Sequence, residues 1–408
     1  MKTLFASLLI VFSASTSNSQ VLKKLGDKVK NKTEQRADQK VDQAIDKGLD
    51  KTEEAGKKKE NNPSTDQDKT TALKDTSVAP TEQAASLKVY SNYDFVPGEK
   101  ILFEDHFTDD QDGEFATHWE LKSGQAILNK VNAELAMHLT DGNYAVVLPR
   151  MRTEKYLSDP YTLEFDWYHV PGAYGIIIQM GVYDKQNGFD TRSEISIQPA
   201  EVNFSAATSN VSLGKTNSDE IQNGFDNKWH HVAIAVKNHQ LKIYLDQFRV
   251  LAVPDTKEDY NNISFAGIGS EENPVVFKNV RLATGGNMNL IGKKFTESKI
   301  VTHGINFDID KATIKPESMG TLNMIVQVMK DNPEIKFEVD GHTDNTGTAA
   351  HNLTLSQQRA DAVKAELIKL GIDGARLSSK GLGDTKPIND NTTLEGRANN
   401  RRVEFVKL

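Results

Sequence analysis

The hydrophobic period changes near residue 290, and that change constrains the fold more than any other feature of the chain. From about Lys88 to Ala283 the apolar residues come in short runs. Tyr161-Thr162-Leu163-Glu164-Phe165-Asp166-Trp167 and Leu241-Lys242-Ile243-Tyr244-Leu245 alternate as half-buried strands do, and Val232-Ala233-Ile234-Ala235-Val236 is a β-branched run of strand length. Turn-prone pairs such as Gly142-Asn143, Asn187-Gly188 and Asn223-Gly224 separate the runs. No long helical period interrupts them, so a β-sandwich is expected over residues 88–285.

Beyond that point strand and helix patterns alternate. Ile305-Asn306-Phe307 reads as a short strand, and Glu317 to Asp331 carries Met319, Leu322, Ile325, Val326 and Met329 at helical spacing. Lys336-Phe337-Glu338-Val339 reads as a strand, and Ser356 to Leu370 as a second helix with Ala360, Val363, Leu367 and Leu370 inward. Arg376-Leu377-Ser378 and Arg402-Val403-Glu404-Phe405-Val406 supply further strands. An α/β sandwich with helices on a mixed sheet is expected over residues 293–408.

The N-terminal fifth is different. Lys2, an apolar core from Leu4 to Phe12 and a small, polar stretch from Ser13 to Gln20 predict a signal peptide over residues 1–20. Residues 21–55 are charged, with Leu22, Leu25 and Val29, then Val41, Ile45 and Leu49, at helical spacing. They read as a solvated helical or disordered arm, or as a helix that meets a membrane surface or a partner. Residues 56–87 are too polar to bury a core and read as a linker. No later stretch approaches the ~20 apolar residues of a spanning helix, and residues 21–87 lack the ~10-residue alternating strands of an outer-membrane barrel.

Charge and cysteine content exclude several classes. The net charge of −8 argues against nucleic acid as a partner. The absence of cysteine excludes disulfides, thiol catalysis, cysteine-ligated metals and a lipidated N-terminal cysteine.

Two segments carry a family resemblance. Gly341-His342-Thr343-Asp344-Asn345-Thr346-Gly347 is followed by Leu355-Ser356 and Arg359-Ala360, and Glu395-Gly396-Arg397-Ala398-Asn399-Asn400-Arg401-Arg402-Val403-Glu404-Phe405 lies downstream. Together they resemble the OmpA-like peptidoglycan-binding domain, over about Lys293 to Leu408. In the middle region, Trp229-His230-His231-Val232 with Tyr244-Leu245-Asp246, and Leu102-Phe103-Glu104-Asp105-His106-Phe107 with Trp119, resemble laminin-G-like or concanavalin-like jelly rolls.

The first resemblance implies a specific chemistry. Gram-negative peptidoglycan carries meso-diaminopimelate, whose free end bears an ammonium and a carboxylate on one carbon. The resemblance implies that Asp344, in a loop, takes the ammonium, and that Arg359, on the first turn of the next helix, takes the carboxylate through two parallel hydrogen bonds. Thr346, Asn352 and Arg401 fall on positions that complete the pocket, and the helix start near Leu355-Ser356 offers free N–H groups. Asp310 stands where relatives often carry asparagine or a small polar residue. His342 reads as a packing residue.

No metal site, cofactor or catalytic residue is expected. His230 and His231, neighbours on a strand, point to opposite faces and cannot chelate one ion together, so a core-plus-surface pair is expected. Asp109-Asp110-Gln111-Asp112-Gly113 hints at calcium but lacks the ligand pattern of an EF-hand and reads as a solvated loop. Glu164 and Asp166 share one strand face, expected to be solvated, and Glu194 is the remaining acid. The chain therefore reads as a non-enzymatic, exported protein of the cell envelope, in the periplasm and outer-membrane associated. Its partner is peptidoglycan, with a carbohydrate or protein as the ligand of the β-sandwich. The alternatives are a wall-localised glycan hydrolase with the sandwich as catalytic domain, or a sandwich that acts only as a spacer.

Overall fold

A computed structural model describes residues 87–183, 190–286 and 294–408. The signal peptide, the charged segment, the linker up to residue 86 and the Asn187-Gly188 pair lie outside the described residues.

The middle region is a large antiparallel β-sandwich. Its strands are β1 (Lys100–Asp105), β2 (Trp119–Val131), β3 (Glu134–Pro149), β4 (Tyr161–Tyr168), β5 (Ile176–Tyr183) and β6 (Asp190–Ile197). They continue with β7 (Glu201–Ser205), β8 (Ser212–Thr216), β9 (Trp229–Lys237), β10 (Gln240–Leu245), β11 (Phe248–Val253), β12 (Tyr260–Gly267) and β13 (Val275–Thr284). The pairing path runs β11-β10-β9-β4-β13-β3-β12-β5-β6-β7-β8, with β1 on β13 and β2 on β3. The path curls until β11 lies beside β7 and β8, which makes the sandwich nearly a closed barrel. One helical turn, α1 (Asp219–Gln222), interrupts the strands.

Alternation accounts for the core. Trp119, Phe165, Phe265 and Phe277 are fully buried, and the last two stack at 4.6 Å. Each such ring contributes roughly 1.5–3 kcal/mol relative to exposure. The Gly142-Asn143 pair falls within β3 and does not separate two strands.

The C-terminal region is an α/β domain. Its sheet runs in the order β14 (Lys299–Thr302), β17 (Arg402–Lys407), β15 (Phe337–His342) and β16 (Leu377–Gly383), parallel only between β15 and β16. Helices α2 (Met319–Asp331), α3 (Ala349–Lys369) and α4 (Leu394–Asn400) accompany it. Leu322, Ile325, Met329, Val363 and Leu367 fill the core with Phe337 and Phe405.

Two element expectations need correction. Ile305-Asn306-Phe307 is not a strand: the Asn306 N–H donates to the Ser318 hydroxyl, its carbonyl accepts the Lys315 N–H, and Phe307 makes an isolated bridge to Ile314. Helix α3 begins at Ala349 rather than Ser356, because the Thr348 hydroxyl accepts the His351 N–H and caps it there. Ala349, Ala350 and His351 are exposed and the buried residue of this turn, Asn352, is polar, so no apolar period announces it.

The outward face of β1, β4, β9 and β13 is also not the solvated surface expected from its polar residues. Glu104 and Glu164 are buried, and Arg281 of β13 donates to the His303 carbonyl (3.1 Å) and to Asn306 Oδ1 (2.8 Å) of the C-terminal domain. Asn399 of α4 works like a strand edge against β1. Its Oδ1 accepts the Ile101 N–H (3.0 Å), and its Nδ2 donates to the Ile101 carbonyl (2.9 Å). Gly320 at the start of α2 packs on the backbone of Phe95, where a Cβ would collide.

Candidate functional site

Asp344 sits in the loop between β15 and α3, and its carboxylate is nearly buried. Oδ1 accepts the Thr346 N–H at 2.9 Å, and Oδ2 lies 2.5 Å from Arg401 Nη1. Burial pushes the carboxyl pKa up, but the Thr346 N–H and the Arg401 guanidinium outweigh it and hold Asp344 below the usual range. The group is an anion at neutral pH. An ionised carboxylate has about four acceptor positions, so these contacts leave room for a further donor.

The loop is held from behind. Asn352, in the first turn of α3, is buried and donates to the Asp344 carbonyl at 3.2 Å. It acts on the site by fixing the loop backbone. The Ser356 hydroxyl donates to the Leu353 carbonyl (2.9 Å) and accepts the Gly383 N–H (2.8 Å), latching α3 to β16. Gly341 lets β15 approach α3, since a Cβ there would run into the Ser356 carbonyl. The Leu355-Ser356 segment is interior to the helix, so the N–H groups expected there belong instead to the α3 start at Thr348.

Arg359 lies in the third turn of α3, not the first. Its Nε donates to the Lys311 carbonyl at 2.9 Å and Nη2 to the Asp308 carbonyl at 3.4 Å. The guanidinium carbon stands 4.9 Å from the centre of the Phe307 ring. Among the described residues no carboxylate lies within ion-pair distance of it. Burial lowers its pKa, Asp310 and Asp344 raise it, and Arg401 lowers it, so these four groups share one electrostatic field. The Asp310 carboxylate is turned to His351 Nε2 at 2.6 Å. Thr346 is exposed at the loop tip.

Arg401 is the residue that Asp344 pairs with, and it has a second partner outside the domain. Its Nη2 reaches Glu104 of β1. Glu104 also holds Arg281 Nε at 2.7 Å. Nothing in the sequence near Glu104 signals this role; the only cue is its place on the polar side of an alternating strand. Arg402 bonds Glu404 at 2.7 Å and two backbone carbonyls, and Arg397 bonds the Asn391 carbonyl, so both serve the domain's own structure. His342 is buried, and desolvation pulls its pKa down to about 4, consistent with a packing role.

Glu164 and Asp166 are not surface groups. His231 lies 3.0 Å from Asp166 and 3.5 Å from Glu164, all within the covered face. His230 points the other way, as expected, bonding Asp246 (2.7 Å) and stacking on Phe225 at 3.6 Å. On the outer face of β5, β6 and β12 a second polar cluster forms. Glu194 accepts Tyr144 Oη and Gln179 Nε2, each at 2.9 Å; Ser264 donates to Gln179 (3.2 Å) and accepts from Arg192 (3.0 Å). In the Asp109 loop, ligand atoms of Asp105, Asp109 and His118 lie within 4.8 Å of one another. Asp105 is already engaged by the Phe107 N–H and Trp119 Nε1, and Asp110 by Thr117, which accounts for the loop structurally.

Comparison with known proteins follows the two domains. Residues 306–401 match the OmpA family, and residues 105–283 match the 3-keto-alpha-glucoside-1,2-lyase-like domain. The probable lipoprotein YiaD of Escherichia coli is 45% identical over 26% of this chain and 48% of its own length. The peptidoglycan-binding protein ArfA of Mycobacterium tuberculosis is 42% identical over 26% of this chain and 33% of its own. The chain thus spans half or less of the length of these curated relatives. The solved peptidoglycan-associated lipoprotein from Burkholderia pseudomallei is 29% identical, covering 28% of this chain and 91% of that one, with a TM-score of 0.25. Among the described residues no helix is long and apolar enough to cross a membrane.

Proposed function

We infer, from a chain that carries an OmpA family domain at its C-terminus and a 3-keto-alpha-glucoside-1,2-lyase-like sandwich in its middle, that this protein fixes itself non-covalently to peptidoglycan by gripping meso-diaminopimelate. One observation carries the reading: Arg359 is a cation without a carboxylate partner among the described residues, in the same field as Asp344, an anion with acceptor capacity to spare. An ammonium and a carboxylate on one carbon complement that pair. Each charge-assisted bond contributes roughly 1.5–3 kcal/mol, so two or three support micromolar binding.

In this reading residues 1–20 direct export, residues 21–87 form an arm and tether, and residues 88–285 and 293–408 are the folded domains. The protein then lies in the cell envelope, on the periplasmic side and associated with the outer membrane. Co-sedimentation with purified diaminopimelate-type peptidoglycan tests the anchor. The wild type pellets, and Asp344→Ala and Arg359→Ala stay in the supernatant; full pelleting of both variants sinks the assignment.

The sandwich in this reading binds a carbohydrate or protein without turnover. A second reading, that it acts on a sugar, is favoured by the Glu194–Tyr144–Gln179–Arg192 cluster and by the match over residues 105–283. Incubating the protein with glucosidic polysaccharide and assaying new reducing ends separates them. Sustained product release, lost in Glu194→Gln, places the sandwich among enzymes.

A further inference from the structure

Glu104 belongs to the sandwich, yet it stands against the pocket of the other domain. Its side chain is 2% exposed and lies between Arg281 (2.7 Å) and Arg401. Burial pushes its pKa up, but Arg281 and Arg401 hold it well below the usual carboxylate range, so it is charged. Arg401 therefore divides its charge between Asp344 and Glu104.

That division matters for a zwitterionic ligand. A guanidinium given wholly to Asp344 cancels it, and the pocket then presents Arg359 alone, which suits a lone carboxylate. Asp310, Asp344 and Arg401 share the field of Arg359, and Glu104 and Arg281 stand behind Arg401. Neutralising Glu104 leaves the Arg401 guanidinium to Asp344 alone, beside the ammonium position, and like charges repel most where water is excluded.

We propose that Glu104 is a specificity-determining residue that the β-sandwich supplies to the diaminopimelate pocket: by drawing on Arg401, it keeps Asp344 available to the ligand's ammonium. The proposal rests on the diaminopimelate reading above. It makes the sandwich a part of the anchor's chemistry as well as its cargo.

The test uses the full chain and three soluble stem peptides differing only at the third residue. One carries meso-diaminopimelate. The second carries 2-aminopimelate, which keeps the far carboxylate and lacks the far ammonium. The third carries lysine, which keeps the ammonium and lacks the carboxylate. Isothermal titration is expected to give a wild-type preference for the first peptide over the second, and Glu104→Gln lowers that ratio by about tenfold. Because Glu104→Gln leaves Arg281 underpaired, Glu104→Gln/Arg281→Gln is measured beside it; it removes both charges of the buried pair and lowers the ratio alike. A role confined to holding the domains together weakens both peptides equally and leaves the ratio intact. A cooperatively melting variant with the wild-type ratio overturns the proposal. A wild type that does not favour the diaminopimelate peptide over either analogue overturns the underlying reading instead.

Discussion

Arg401, and not Arg359, holds Asp344, at 2.5 Å. In the proposed reading two arginines divide the labour: one orients the acid, and the other, on α3, meets the ligand. Arg359→Lys tests the second role. Lysine keeps the charge but loses the planar fork that donates two parallel bonds to a carboxylate. Binding to diaminopimelate-type wall is expected to fall about tenfold, for a loss of ~1.4 kcal/mol. The melting temperature should move little, because the lost contacts are two hydrogen bonds to loop carbonyls. A lysine variant that binds like wild type removes Arg359 from the carboxylate site.

Selectivity between walls follows from the same pair. Lysine-type peptidoglycan offers the ammonium without the carboxylate, so Arg359 enters the complex unpaired, at a cost of roughly 1–3 kcal/mol. Titration against the two walls should give at least a tenfold difference, and equal affinity refutes the pairing.

The motif glycine has a measurable role of its own. Gly341→Ala places a methyl group against the Ser356 carbonyl of α3, which is main chain and cannot rotate away. Overpacking of this kind costs about 1–3 kcal/mol. Because α3 carries Arg359, the same displacement should weaken peptidoglycan binding beyond the loss of stability. Denaturant unfolding and co-sedimentation, run on one preparation, check both.

How much of this was legible depends on range. The Asp344 loop, the α3 arginine and Arg401 were readable because each sits inside a contiguous motif. The sandwich strands were readable because alternation is a local property. Glu104 was not: its partner Arg401 is 297 residues away, and alternation says that a side chain points outward without saying what covers it. For that reason alternation reads Glu164 and Asp166 as solvated, whereas both lie in the covered face against His231. The start of α3 leaves no hydrophobic trace, because its cap is polar and the buried residue of its first turn is Asn352.

The covered face also predicts a pH dependence. Burial pulls the His231 pKa down, but hydrogen bonds to Asp166 and Glu164 outweigh it and raise the value from 6.5 to about 10. A base whose folded pKa is raised stabilises the fold fully below its unfolded value, and that stability is lost as pH rises through the folded one. Between pH 6.5 and about 10 the wild type should lose on the order of a few kcal/mol relative to His231→Gln. Urea unfolding of both proteins at three pH values in that window measures the difference, and parallel curves contradict the assignment.

The junction between the domains rests in part on one amide. Asn399 satisfies both the N–H and the carbonyl of Ile101, groups that a strand neighbour would otherwise engage. Around them Ile101, Ala283 and Ala398 form a small apolar cluster that excludes water. Asn399→Leu keeps the volume and removes both bonds, leaving two backbone groups buried without partners, at about 1–3 kcal/mol each. The expected result is a lower melting temperature and the splitting of one transition into two, as the sandwich and the α/β domain uncouple. If Glu104 tunes the pocket from across this junction, the same variant should also lose preference for the diaminopimelate peptide while Asp344 and Arg359 stay in place. A single cooperative transition at the wild-type temperature would show that the amide does not hold the domains together.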